Sequence, residues 1–143
     1  MKTALLYRAL ITLILMPSLV LANNNDLNGK HTKEKKVHKE FTVSSDATLE
    51  VDNSYGNIDI VTWNENRIVI DVTITTNGNN LEKVEKKLKD INIEFSGSSS
   101  RVIAKTRLSK SKSFWNWGNN NVSMKINYVI KMPMSNNVDL CLL

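Results

Sequence analysis

Two histidines, one cysteine and five glycines in 143 residues leave little material for most kinds of site chemistry. His31 and His38 lie in one polar stretch with no cysteine or carboxylate cluster beside them. Neither a zinc-type ligand set nor a Ser, His and Asp arrangement can be drawn from them. The lone Cys141 cannot form an internal disulfide; in an oxidising compartment it is a free thiol or the bridge of a disulfide dimer. The glycines form no phosphate-cradling loop, and the acids around "DNSYGNID", Asp52 to Asp59, are too few for a calcium loop. Asp52, Asp59 and Asp71 alternate with apolar residues, which explains them as solvent-facing groups. No enzyme activity, cofactor or metal is expected.

The chain opens on an export signal. Lys2 and Arg8 give a short positive region, residues 9–21 are nearly all apolar, and "VLA" sets compact residues at Val20 and Ala22 before a run of asparagines. This is the pattern of a secretory signal peptide spanning 1–22, cleaved between Ala22 and Asn23. The alternative, an uncleaved anchor, conflicts with an apolar run well short of the roughly 20 residues a span needs. No cysteine lies near the cleavage point, so lipid modification there is not indicated. Loss of Lys2 and Arg8 lowers the formal net charge from +5 to +3. So slight a balance gives no reason to expect nucleic acid as a partner, and export to the periplasm or cell surface argues against it independently.

Residues 23–36 are rich in Asn and Lys without apolar periodicity and read as a flexible polar leader. The lysines at 30, 33, 35, 36 and 39 are interrupted by Glu34 and Glu40, which favours a solvated tail over contact with acidic envelope polymers. From Val37 to Leu143 one β-rich domain is expected. Val37, Phe41 and Val43 form a first strand face that Lys39 interrupts; Leu49 and Val51, then Ile58 and Ile60, flank a turn; Ile68, Ile70, Val72 and Ile74 show the clearest period of two. Strands follow around Ile91–Phe95, Val102–Thr106 and Met124–Met132. One segment is helical instead. Leu81, Val84, Leu88 and Ile91 recur at helical spacing with Asn79 or Asn80 as N-cap, predicting one amphipathic helix over about 80–90 with a lysine-rich solvated face. The fold class is mainly β, an antiparallel-rich sheet or sandwich.

Two features stand out as candidate sites. In "KSKSFWNWGNNN", Lys110 to Asn121, an extended backbone would put Trp115 and Trp117 on one side and Phe114 on the other, among lysines and asparagines. That composition suits contact with envelope glycans, a membrane interface or another protein; equally, it suits a long loop whose rings cover the core. In "NSYGN", Gly56 supplies the positive φ of a tight reversal, a structural role.

The order of "ATLEVDNSYGNIDIVTW", "RIVIDVTITT", "LEKVEKKLKD", "INIEFSGSSSRVIAKT" and "INYVIKMPMSNNVDL" resembles a family of exported bacterial adhesin-like proteins with β-strand repeats, common in Gram-negative envelopes. The resemblance covers nearly the whole mature chain and carries over no catalytic residue. It implies a non-enzymatic envelope protein; an accessory or sensory role in envelope stress is the alternative. Aligning Met132–Leu140 on Val43–Val51 sets "CLL" where the first copy has its polar turn. The resemblance therefore implies that a β-solenoid-like repeat region starts near the C-terminus and that this chain is a truncated N-terminal part. The strand around Val138–Leu140 is expected either to pair with the "LEV" strand or to leave an apolar edge open.

Intact-mass measurement of the protein recovered from the exported fraction is expected to show a chain beginning at Asn23. A chain retaining Met1 would establish the anchor instead.

Overall fold

The computed structural model describes residues 27–109 and 121–141; residues 1–26, and with them the expected signal peptide, lie outside. Eight strands and one helix follow in order: β1 (His31–Thr42), β2 (Thr48–Asp52), β3 (Ile58–Trp63), β4 (Arg67–Gly78), α1 (Leu81–Lys89), β5 (Ile91–Gly97), β6 (Arg101–Leu108), β7 (Val122–Pro133) and β8 (Asn137–Cys141). They build two four-stranded sheets, A in the order β1-β4-β7-β3 and B in the order β5-β6-β2-β8. The mainly β class follows from the alternating pattern, and the one helix among the described residues from the helical spacing of Leu81, Val84 and Leu88. Both sheets are mixed: β1–β4, β4–β7 and β5–β6 are antiparallel, whereas β2–β6, β2–β8 and β3–β7 are parallel.

The period of two decides what is buried. Ile68, Ile70, Val72 and Ile74 of β4 and Ile126, Tyr128 and Ile130 of β7 turn inward with at most 1% exposure, against Leu49 and Val51 of β2 and Val102 and Ala104 of β6. α1 is capped by Asn80, whose side chain accepts the Lys83 backbone N–H at 3.0 Å. Val84 is its buried contact with the sheet, and Thr76 Oγ1 donates to the Val84 carbonyl at 3.0 Å. Leu81, expected on the same stripe, is 42% exposed at the first position of the helix.

Two expectations need correction. The leader does not extend to Lys36: β1 begins at His31 and pairs with β4 from His31–Gly78 to Thr42–Arg67. Its side chains point mostly to solvent, so composition carries no strand signal; the order comes from the backbone ladder and from Asn77. That amide, 2% exposed, accepts the Gly29 N–H at 2.6 Å and shares its two N–H hydrogens among Thr32 Oγ1 at 2.8 Å and the Gly29 and His31 carbonyls. Nor do the described residues contain the start of a solenoid. β8 completes sheet B as an edge strand beside β2.

That pairing is the repeat itself. Thr48 lies opposite Asn137, Leu49 opposite Val138 and Asp52 opposite Cys141, the register of the sequence alignment residue for residue. The turn between β2 and β3 is clamped onto β7: Ile126 N–H donates to the Tyr55 carbonyl at 2.6 Å and Tyr128 N–H to that of Asn57 at 2.9 Å. Asn53, 1% exposed, donates from Nδ2 to the Ile126 carbonyl at 2.9 Å and accepts from Thr106 Oγ1 at 3.2 Å. Since that hydroxyl has one hydrogen, the Tyr128 O–H donates to Thr106 across 2.8 Å. Burial pushes the Tyr128 hydroxyl up to about 12, so the donor keeps its proton.

Gly56 has φ 155° and sits so close to β7 that a Cβ would lie 2.2 Å from the Ile126 carbonyl oxygen. Gly56→Ala is therefore expected to cost about 2–3 kcal/mol, from strained backbone and lost turn contacts together. Chemical denaturation with unchanged m-value would show it.

Candidate functional site

Trp115, Trp117 and Phe114 lie outside the described residues. Cys141 is an exposed free thiol at the end of β8, and its carbonyl accepts the Asn53 N–H at 3.1 Å. Among the described residues no three His, Cys, Asp or Glu side chains are grouped to hold a metal ion. A depression of about 470 Å³ at one end of the sandwich is lined by Asn28, Gly29, residues 77–79 and residues 121–123. Its most buried polar group, the Asn77 amide, is taken up in holding β1.

The richest constellation is instead on the outer face of sheet A, around a tryptophan that in the sequence only closes the segment "ATLEVDNSYGNIDIVTW". Trp63 ends β3, and its indole N–H donates to the Arg67 carbonyl at 2.9 Å, closing the short turn into β4. The Arg67 guanidinium then lies over the ring, 4.9 Å from its centre, and Lys131 Nζ approaches to 5.7 Å from β7. Strand register explains the meeting: Trp63 pairs with Pro133 and Val61 with Lys131. Two apolar residues, Val61 at 55% and Val129 at 43% exposed, extend the patch along the sheet.

A chain of charges runs from this patch to β1. Arg67 bonds Glu65 at 2.6 Å and Glu40 at 3.0 Å; Glu40 reaches His38 Nε2 at 3.1 Å; His38 Nδ1 reaches Asp71 at 2.6 Å. Both imidazole nitrogens therefore face carboxylates, which only the protonated ring satisfies with two N–H donors. The bond to Asp71, then that to Glu40, raises the His38 pKa above its ordinary value. The sheet brings His38 into register with Asp71 although they are 33 residues apart. The spacing of Trp63 and Arg67, with "NEN" between them, was the one visible signal for the aromatic part. Chemically this surface offers a held aromatic ring, two cations and exposed methyl groups, a set suited to contact.

No family model matches the sequence, and no curated protein matches it. Two solved structures are similar in fold. A Bacteroides fragilis protein described as a "putative adhesin" shares 12% identity over 76% of this chain and 41% of its own, with a TM-score of 0.39. A Clostridium sporogenes protein described as a "putative cell adhesion protein" shares 17% over 77% of this chain and 48% of its own, with a TM-score of 0.44. The chain thus spans less than half the length of either neighbour.

The sign of the His38 effect fixes its pH window. A pKa raised on folding contributes stability that is fully present below the unfolded value, about 6.5, and is lost as pH rises through the folded value. The difference in Tm between the native chain and His38→Gln is expected to be largest below about pH 6 and to vanish in mild alkali. A pH-independent difference in thermal scans would count against the carboxylate contacts.

Proposed function

We propose that this protein is a non-enzymatic exported component of the cell envelope, an adhesin-like β-repeat domain that presents aromatic and basic side chains to a glycan or protein surface. The observation that carries the reading is the β2–β8 register: a repeat aligned in sequence as Val43–Val51 on Met132–Leu140 is paired strand against strand, Leu49 beside Val138 and Val51 beside Leu140. Repeated strands that stack in register make a rigid scaffold on which contact groups keep a fixed spacing. The signal-peptide pattern supports export, and the family resemblance supports display at the periplasm or cell surface. Trp115 and Trp117, with Phe114 beside them, are the first contact residues to test; the Trp63 patch is the second. An indole stacks on the apolar face of a sugar ring while neighbouring lysines and asparagines meet its hydroxyl groups.

Titration of envelope polysaccharides against the mature protein is expected to change tryptophan emission. The Trp115→Ala/Trp117→Ala variant is expected to bind at least about tenfold more weakly, as for aromatic anchors at other interfaces. Emission unmoved by any envelope glycan would overturn the glycan contact.

A further inference from the structure

Alternation along β1 sorts its charges between two faces. Lys33, Lys35, Val37, Lys39 and Phe41 lie opposite Thr76, Ile74, Val72, Ile70 and Ile68 of β4, all buried, so these β1 residues belong to the inner face of sheet A. Glu34, Lys36, His38 and Glu40 take the outer face. The glutamates that interrupt the lysine run in the sequence are therefore turned away from Lys33, Lys35 and Lys39. On the outer face the charges satisfy one another: Lys36 meets Glu34 at 3.4 Å, His38 meets Glu40 and Asp71, and Glu40 also meets Arg67. On the inner face Val37 and Phe41 pack against the core, whereas Lys35 and Lys39 are exposed and in no ion pair among the described residues.

The helix brings further lysines to this row. Lys33 Nζ meets Glu85 Oε1 of α1 at 3.0 Å, which ties the helix to the inner face of β1. Lys89 stands one helical turn on from Glu85, on the same side of α1. The bond to Lys33 first, and the charge of Lys89 at longer range, hold the Glu85 carboxyl below the usual carboxylate range. Lys86 and Lys89 are exposed and in no ion pair among the described residues. The acids of α1 and its cap do not balance this set: Glu85 is taken up by Lys33, Asp90 acts on Lys87, and Glu82 stands apart in the first turn. Across from β1, the inner face of β5 carries Ile93, Phe95 and Gly97, none of them charged.

We propose that this β1–α1 face is a binding surface for a linear acidic polysaccharide, whose anionic groups lie along Lys35 and Lys39 and cross to Lys89. The strand sets the lysines in a straight row, with Lys33 and Lys35 about 7 Å apart and Lys39 about 13 Å further on. A row of that kind meets a chain of repeated charges better than a single anion, and each lysine stem lies along the half-buried Val37 and Phe41 while its ammonium group stays in water. A lipid surface is the poorer partner: apart from Leu81 at the start of α1, the exposed large apolar residues lie elsewhere, and a face bound to a bilayer needs apolar groups to insert. The choice of a polysaccharide rests on the envelope reading above; the surface itself is separate from Trp63, Trp115 and Trp117.

The test is fluorescence anisotropy of labelled polygalacturonate titrated with the mature protein at low ionic strength. Saturable binding is expected, weakening as salt is raised and not competed by neutral dextran. The Lys35→Gln/Lys39→Gln variant is expected to bind at least about fivefold more weakly. Lys36→Gln/Lys125→Gln removes the same charge from the outer face of sheet A and is expected to stay within about twofold of the native chain. The Trp115→Ala/Trp117→Ala variant is expected to bind polygalacturonate as the native chain does, which separates this surface from the tryptophan contact. No binding, competition by dextran, equal losses in the two lysine variants, a loss in the tryptophan variant, or tighter binding to phosphatidylglycerol vesicles than to the polymer would each overturn the proposal.

Discussion

The close seating of the β2–β3 turn on β7 holds the rest of the structure together. Between Asn53 and Asn57 the chain leaves sheet B and enters sheet A, and within those residues it is bonded to Ile126 and Tyr128 through backbone and side chain alike. Only glycine fits at position 56, because β7 occupies the space a side chain would need. This contact makes β3 run parallel to β7 and so fixes which residues share the outer face of sheet A. Trp63, Val61 and Lys131 are neighbours because that turn allows no other register.

The two outer faces are electrostatically different. On sheet B, Lys105 first and then Arg101 hold the Glu50 carboxyl below the usual carboxylate range, and the ionic rungs run from β5 only as far as β2. On sheet A, carboxylates surround His38 and Arg67, and the cations converge on an aromatic ring. Apart from those on the half-buried Glu50, these pairs are exposed and individually weak. Their value lies in arranging side chains across strands that are distant in sequence.

Much of the fold could be read from the sequence where burial is one-sided. The alternation over Ile68–Ile74 announced β4, and the spacing of Leu81, Val84, Leu88 and Ile91 after Asn79 and Asn80 announced the helix, which Asn80 caps. Where side chains on both faces meet solvent, alternation disappears: β1 from His31 to Lys36 has no apolar face, and its place is set by a ladder and by one asparagine 46 residues away. Parallel pairing left no trace in composition either, since a strand's period is the same in both directions. The site was less legible. Trp63 lies within an ordinary strand pattern, and what marks it is the arrival of Lys131 from β7, a product of tertiary register, beside an Arg67 that the local turn folds back. The repeat was the exception, visible as a sequence echo and realised as neighbouring strands.

The Asn77 clamp also has a mechanical consequence. Tension reaching the domain through the residues before β1 arrives first at Gly29 and His31, where one buried amide holds the chain by several bonds. Beyond it, a pull along the strand axis loads the β1–β4 ladder in shear, so its bonds share the force instead of opening one after another. A domain held from that end resists at its most polar strand, and the apolar core behind it is the last part to feel the load.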